Sequence, residues 1–402
     1  MPRVKCNKCE KAETVLRSGF VRGKQRFYCK ECNYHFTLHH EGRKPEGRQI
    51  VHQTTIIDIA KAIGVSNSTV SRALRDHADI SFETKEAIKA LAVKMDYQPN
   101  LFAQSFAKKQ TNIIGVIIPN LETTFFSIML SGIQHVANRY GYKVMICQSN
   151  ESHKTEVDNI QALMRNWIDG LLICHSLETA SYEHIKVHMN KGIPIVHFHR
   201  VCMETETSKV MAEDVKGAEE MTDHLVAQGC KRIALIIGPP HLGITVKRLY
   251  GYQKSLKKHG IRFSDELVAY TDFTHQSVIT HVDRWLAMPE RPDAIFSISD
   301  KCAIHALRYL KQLKIPVPSE ICVAGFGNDP MGEVIEPGLT TYNSNTLEVG
   351  ETAAQLFFDQ ILSGENFKPK TKIIKGNIII RGSTVRNGLP QDVTSNGFFS
   401  SI

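Results

Sequence analysis

The sequence predicts a multidomain chain in three parts: a small cysteine-clipped ribbon, an all-α segment, and a larger α/β region of two lobes. Three observations predict it. Two Cys-x-x-Cys pairs, Cys6/Cys9 and Cys29/Cys32, lie near the start of the chain. Residues 54–110 follow a helical pattern with very little glycine. From Ile113 to about Thr384, short apolar runs alternate with longer amphipathic stretches, the pattern of a parallel sheet with helices on its faces.

The totals bound the class. A hydrophobic share of 42% and a charged share of 22% are ordinary for globular chains, and 402 residues suggest two to four compact units. No apolar run reaches the roughly 18 residues of a membrane span. The opening MPRVKCNKCEK lacks the apolar centre of a signal peptide. The expectation is a cytoplasmic chain with reduced thiols and no membrane partner. Charge is unevenly spread. Residues 1–110 carry 20 Lys+Arg against 11 Asp+Glu, a net of +9, and the rest carry 29 against 30, a net of −1. A basic first quarter on a near-neutral body points to a polyanion-binding module joined to something else.

The first element, residues 1–37, is read from its cysteines. Four thiolates on two tight turns complete a tetrahedral metal shell, and so short a segment cannot bury a core of its own. Zinc is the favoured ion in a reducing compartment, with iron in the same cage as the alternative, and Cys6, Cys9, Cys29 and Cys32 are the ligands. Such a structural Zn2+ supplies folding energy rather than catalysis. Arg22, Lys24, Arg26 and Lys30 surround the second pair, and their role is open between phosphate contact and protein docking. The stretch RGKQRFYCKECNYHFT resembles the zinc ribbons of some transposase-associated proteins. Residues 38–53, polar with Gly and Pro, read as a linker.

The second element, residues 54–98, opens with TTIIDIAKAIGVSNSTVSRALRD. Thr55 with Asp58 caps a first helix carrying Ile59, Ala60 and Ile63, and Gly64 ends it. Ser66 opens a second helix with Val65, Val70 and Leu74 on one face and Asn67, Ser68, Ser71 and Arg72 on the other. This is the pattern of a helix-turn-helix, whose amide and guanidinium groups suit adenine and guanine edges in a major groove. Ser81 caps a third helix through Met95. Residues 99–110 follow, too short to hold a helix alone in water and bearing Phe102 and Phe106.

The third element, residues 111–385, carries the buried-strand runs IIGVIIP, YKVMIC, GLLIC, IPIVHFH, RIALIIG, DAIFSIS and ICVAGFG. Its length favours two lobes, with a ligand cleft at the strands' carboxyl ends. Residues 386–402 lack any period and form a tail.

TTIIDIAKAIGVSNSTVSRAL, then YQPNLFAQSFAKKQTNIIGVIIPN, resembles the LacI/GalR family of transcription regulators in register. The resemblance continues through FFSIMLSGI, KRIALIIGP, RLYGY, FSISD and VAGFGNDP. It implies a periplasmic-binding-protein-like sensor core, a homodimer, a near-palindromic operator DNA, a hinge helix over 99–110, and a small-molecule effector, at family level a carbohydrate. The ribbon lies outside the usual family pattern. The implied DNA contacts are Thr55, Ser66, Asn67, Ser68, Thr69, Ser71 and Arg72, with Asn100, Ala103 and the wedge Phe106 in the hinge. The implied effector contacts are Phe125, Phe126, Arg248, Phe273, Asp300 and Asn328. The strand-end Asp-Arg common in the family is His199–Arg200 here, and Gly327 stands where a carboxylate is usual, with Asn328 and Asp329 following. The expected function is a repressor answering to a metabolite. The rival readings are a transposition accessory, an exported sugar-binding protein and an α/β enzyme. GPPHLGITVKR lacks the spacing of either phosphate-binding glycine motif, and no catalytic cluster stands out.

Overall fold

The structure, a computed structural model, describes residues 4–6, 8–21, 24–37, 54–98 and 110–386. The chain divides into two compact units, residues 1–100 and 101–402. In the first, β1 (Val15–Val21), β2 (Lys24–Cys29) and β3 (Tyr34–Thr37) form an antiparallel sheet in that order. Among the described residues its buried core is Phe27 and Phe36, stacked with ring centroids 5.9 Å apart, and the thiols of Cys6 and Cys29, with Val4 and Val15 packed against them. So small a core needs a staple.

Three helices follow in the same unit: α1 (Ile56–Ile63), α2 (Asn67–Ala73) and α3 (Phe82–Lys94). Each start and stop has a local cause. The Asp58 carboxylate accepts the Thr55 backbone N–H at 2.8 Å, so the residue three places into α1 satisfies the cap from behind. Gly64, at φ 75°, makes the left-handed turn that ends α1. The Ser66 hydroxyl accepts the Thr69 N–H, and Ser81 does the same for Thr84. Ile59, Ala60, Val70, Ala73, Ile88 and Ala92 form the shared core.

The second unit has two six-stranded sheets, each the heart of one lobe. The first lobe is ordered β14-β8-β7-β6-β4-β5, from β4 (Ile113–Ile118), β5 (Lys143–Gln148), β6 (Gly170–Ile173), β7 (Ile195–Phe198), β8 (Ser208–Ala212) and β14 (Thr371–Ile374). The second is β10-β9-β11-β12-β13-β15, from β9 (Ile233–Ile237), β10 (Val268–Tyr270), β11 (Ala294–Ser297), β12 (Cys322–Phe326), β13 (Thr340–Asn343) and β15 (Asn377–Ile379). All pairings are parallel except β13 with β15. The continuous apolar runs are explained directly. Along β4, Ile114, Val116 and Ile118 enter one core and Ile117 the other, so both faces are dry.

Helices α4 (Thr124–Arg139), α5 (His153–Arg165), α6 (Glu183–Met189) and α12 (Thr346–Ser363) cover the first sheet. Helices α7 (Asp214–Ala227), α8 (Gly243–Lys258), α9 (His275–Leu286) and α10 (Asp300–Gln312) cover the second, with the short α11 (Met331–Val334) after β12. The chain passes between lobes three times, after β8, after β13 and after β14. β8, β10, β13, β14 and β15 were not among the runs expected from sequence. They are short, and SKVMA and TTYN mix polar with apolar residues. Among the described residues no helix is long and apolar enough to cross a membrane.

Helix α12 crosses from the second lobe to lie on α4, and the two approach at glycines. A Cβ on Gly350 would meet the Met129 carbonyl oxygen at 2.1 Å, and one on Gly132 would meet the Leu347 oxygen at 2.4 Å. Backbone oxygens cannot swing aside as a side chain does, so the helices must separate. Gly350→Ala is therefore expected to lower stability by about 1–3 kcal/mol, read as an earlier urea midpoint at unchanged slope.

Candidate functional site

Where the lobes meet, a cavity of about 310 Å³ opens at the carboxyl ends of both sheets. The first lobe lends it the start of α4 and the segments after β5 and β7. The second lends it a face of α8 and the segments after β10, β11 and β12. This is where open parallel sheets place ligands. Two bonds tie the lobes beside it: the Thr124 hydroxyl donates to the Asp329 carboxylate at 2.6 Å, and the His241 Nε2–H donates to the Leu177 carbonyl at 2.6 Å.

The three expected aromatic residues border the cavity. Phe125 and Phe273, both half-buried, line the cavity from opposite lobes. Phe126 lines it as well, but only 4% of it is exposed and its ring belongs mainly to the first lobe's core. His199 packs edge-on against Phe125, with centroids 4.8 Å apart, and burial first, then Arg248 and Arg200, push it well below the ordinary histidine range. At the position where the family commonly has an aspartate, this chain presents a neutral ring.

Both deep arginines already have partners. Arg200 grips Glu151 through two bonds, 2.6 and 3.2 Å. Arg248 lines the cavity, yet its Nε donates to Asp214 at 2.9 Å and its Nη1 to the Ile298 carbonyl at 2.6 Å. Its guanidinium lies flat over Phe326, 3.6 Å from the ring centre. Its charge is thus paired with Asp214 within its own lobe, while Nη2 makes no hydrogen bond. Asp214 and Glu151 carry no motif and lie 34 and 49 positions from their partners, so sequence reasoning missed them.

Asp300 is 4% exposed and accepts the Asp329 N–H and the Thr341 hydroxyl, each at 2.7 Å. Burial outweighs those bonds and raises its pKa to about 6. Gly325 makes room for it, because a Cβ there would lie 2.0 Å from the carboxylate. Asn328 is not among the residues lining the cavity. It stands at φ 57°, and its amide oxygen accepts from Arg381 at 3.2 Å, which turns it away from the cavity. The neighbours Gly327 and Asp329 line the wall instead. A second, more open depression of about 570 Å³ lies over α7 and α8. Several of its charges are paired, as Lys254 is with Glu219 at 2.7 Å and Lys216 with Glu220 at 3.5 Å.

In the first unit, Asn67, Ser68 and Arg72 are exposed on the outer face of α2, and Thr69 and Ser71 are half-buried. The Ser66 hydroxyl lies 2.7 Å from that of Ser68 and 2.8 Å from that of Thr69, so these three are engaged in the cap. Arg72 has only a loose contact with Asp79, 3.9 Å. Thr55 is exposed at the start of α1. Asn100, Ala103 and Phe106, like the hinge as a whole, lie outside the described residues.

The four sulfurs of Cys6, Cys9, Cys29 and Cys32 all lie within 4.8 Å of one another. Cys9 and Cys29 are 3.7 Å apart, far beyond a disulfide and close to the roughly 3.8 Å edge of a tetrahedron with 2.3 Å metal–sulfur bonds. Each turn ends in a left-handed residue just past its second cysteine, Glu10 at φ 57° and Asn33 at φ 46°. The Lys8 N–H points at the Cys6 sulfur, 3.4 Å away. The donor set and its spacing fit a four-thiolate metal.

Residues 55–100 match the family described as bacterial regulatory proteins, lacI family, and residues 222–384 match the periplasmic binding protein-like domain. The ribose operon repressor of Halalkalibacterium halodurans is 31% identical over 310 residues, which covers 77% of this chain and 90% of that one. The chain belongs to the LacI family. The transcriptional repressor CytR of Escherichia coli strain K12 is 29% identical over 82% of this chain and 96% of its own length. The solved lac repressor dimer bound to operator and the anti-inducer ONPF has the same fold, with TM-score 0.74, 24% identity, and coverage of 83% of this chain and 100% of that one. The complex of the regulator CelR with cellobiose matches at TM-score 0.61 and 25% identity, over 82% of this chain and 100% of that one. Both matched segments of this LacI-family chain begin after the cysteine ribbon.

Asp300 gives the core a pH signature. Its proton is held more tightly folded than unfolded, so its contribution to stability is present below about pH 4 and is lost as pH rises through 6. Between pH 5 and 7 this amounts to a loss on the order of 1 kcal/mol. Denaturant melts should show that slope in the natural chain and its absence in Asp300→Asn. Identical slopes would contradict the assignment.

Proposed function

We propose that this chain is a transcription repressor whose hold on operator DNA is set by a small neutral hydroxylated ligand, a sugar or sugar derivative, bound between the two lobes. The observation that carries this reading is the cleft chemistry. Phe125 and Phe273 offer flat faces for a ring, Asp300 offers an acceptor for a hydroxyl, and both deep arginines are neutralised within the protein. An anionic ligand would find both deep guanidinium charges already paired with carboxylates. The volume sits at the lower end of the roughly 300–1,000 Å³ usual for small-molecule sites. The relatives' names, ribose operon repressor and CelR with cellobiose, support the same ligand class.

The head reads DNA through the exposed face of α2, with Asn67 and Arg72 on base edges and the Ser66–Thr69 cap at the phosphates. A homodimer sets two such heads on the half-sites of a near-palindrome. Ligand and operator bind the same conformational equilibrium, so each changes the other's affinity by the same factor. Cys6, Cys9, Cys29 and Cys32 hold a structural Zn2+, which supplies the folding energy that the ribbon's small core lacks. The chain works in the cytoplasm and catalyses nothing.

Two outcomes check this. Arg72→Ala is expected to weaken binding of the cognate operator by about 1–3 kcal/mol and to relax preference at one base pair, read by fluorescence anisotropy against a panel of substituted sites. A thermal-shift screen of neutral sugars and nucleosides should find a compound that raises the melting temperature and changes operator affinity, with both effects weakened in Phe273→Ala. Operator affinity unmoved by every stabilising compound would refute the switch.

A further inference from the structure

Four histidines of the first lobe gather around one buried carboxylate. Glu156, in the first turn of α5, is fully buried. One oxygen accepts from His175 Nδ1 at 2.9 Å and His184 Nε2 at 2.8 Å. The other accepts the Ser176 N–H and hydroxyl, both at 2.7 Å, and the Thr179 hydroxyl at 3.0 Å. Five donors thus converge on the two oxygens, the shell of a carboxylate rather than a carboxylic acid. None of these partners carries a fixed charge. A buried anion in that position calls for a cation.

The same cluster leaves two ring nitrogens without partners. Nδ1 of His184 and Nδ1 of His153 are both buried and make no hydrogen bond. The rings stand perpendicular, with centroids 4.9 Å apart. Because His184 donates its Nε2–H to Glu156, its Nδ1 holds a lone pair. A carboxylate behind a histidine is the usual support of a metal-binding imidazole, fixing the tautomer and raising the ring's basicity. His153, Glu156 and His184 each offer a ligand atom within 4.8 Å of the others. His153 is half-buried, which gives an ion a path in from solvent.

We propose that His153 and His184, backed by Glu156, bind a divalent transition-metal ion of the zinc class. Imidazole ligands favour zinc, copper or nickel over calcium or magnesium. His175 is not a ligand: it donates to Glu156 and lies 2.8 Å from His197 Nδ1, so both its nitrogens are engaged. The site braces the segment after β6. That segment includes Leu177, whose carbonyl accepts from His241 of the other lobe, so the ion stiffens a lobe-to-lobe contact beside the ligand cleft.

The test is zinc content of the full chain, loaded with Zn2+ and dialysed against metal-free buffer. About two ions per chain are expected. His153→Asn should lose one of them and keep the thiolate-to-metal absorption of the cobalt-substituted ribbon. Cys9→Ser/Cys32→Ser should lose the other and keep a zinc-dependent rise in the core's melting temperature, which adding His153→Asn abolishes. His153→Asn replaces a ring nitrogen that has no partner, so folding should survive, and the retained cobalt spectrum confirms it. Unchanged zinc content in His153→Asn, or loss of all zinc in the cysteine variant, overturns the proposal. One ion lost only with His153→Asn would uphold this site and refute the ribbon's.

Discussion

Asp300 is buried at the seam of two lobes, and the cleft takes its shape from what that carboxyl holds. It takes the Asp329 N–H and the Thr341 hydroxyl, fixing the segment after β12 against β13. Asp329, so placed, accepts from Thr124 across the gap. One buried group therefore sets the loop that closes the cavity and the bond that joins the lobes. A carboxyl whose pKa is near 6 is poorly solvated, so the bonds it does make are the ones that hold this seam.

The arginines complete the argument by what they withhold. With Arg200 on Glu151 and Arg248 on Asp214, the cavity has polar walls and little uncompensated positive charge in its depth. Breaking either pair to receive an anion would strand a carboxylate, and Asp214 is only 3% exposed. Arg248 also lies over Phe326, which adds to what holds it in place at the cavity wall.

How much the sequence reveals follows from how local each cause is. The helix-turn-helix was legible because Thr55, Asp58, Gly64 and Ser66 settle its boundaries within a dozen residues. The inner strands were legible because a strand dry on both faces must be apolar throughout. The crossover strands were not, since β8 and β14 pair across some 160 residues and β13 is threonine-rich. The positions of Phe125, Phe273 and Asp300 came from family register, whereas the place of Asn328, off the cavity wall and bonded to Arg381, depends on a left-handed backbone that no register shows. The histidine cluster was invisible. His153, His175, His184 and His197 come from four separate elements, and no spacing announces them.

The two proposed metal positions rest on different physics, and the difference explains their places in the chain. The cysteine ribbon has two aromatic side chains for a core, so an ion there would be a condition of folding at all. The histidine cluster sits in a lobe already held by two dry faces, so an ion there would alter stiffness rather than existence. A module that exists only with its metal can be added ahead of a finished regulator without disturbing its core. A site that tunes a lobe contact can arise only inside that core, where a buried carboxylate such as Glu156 already stands in need of a counter-charge.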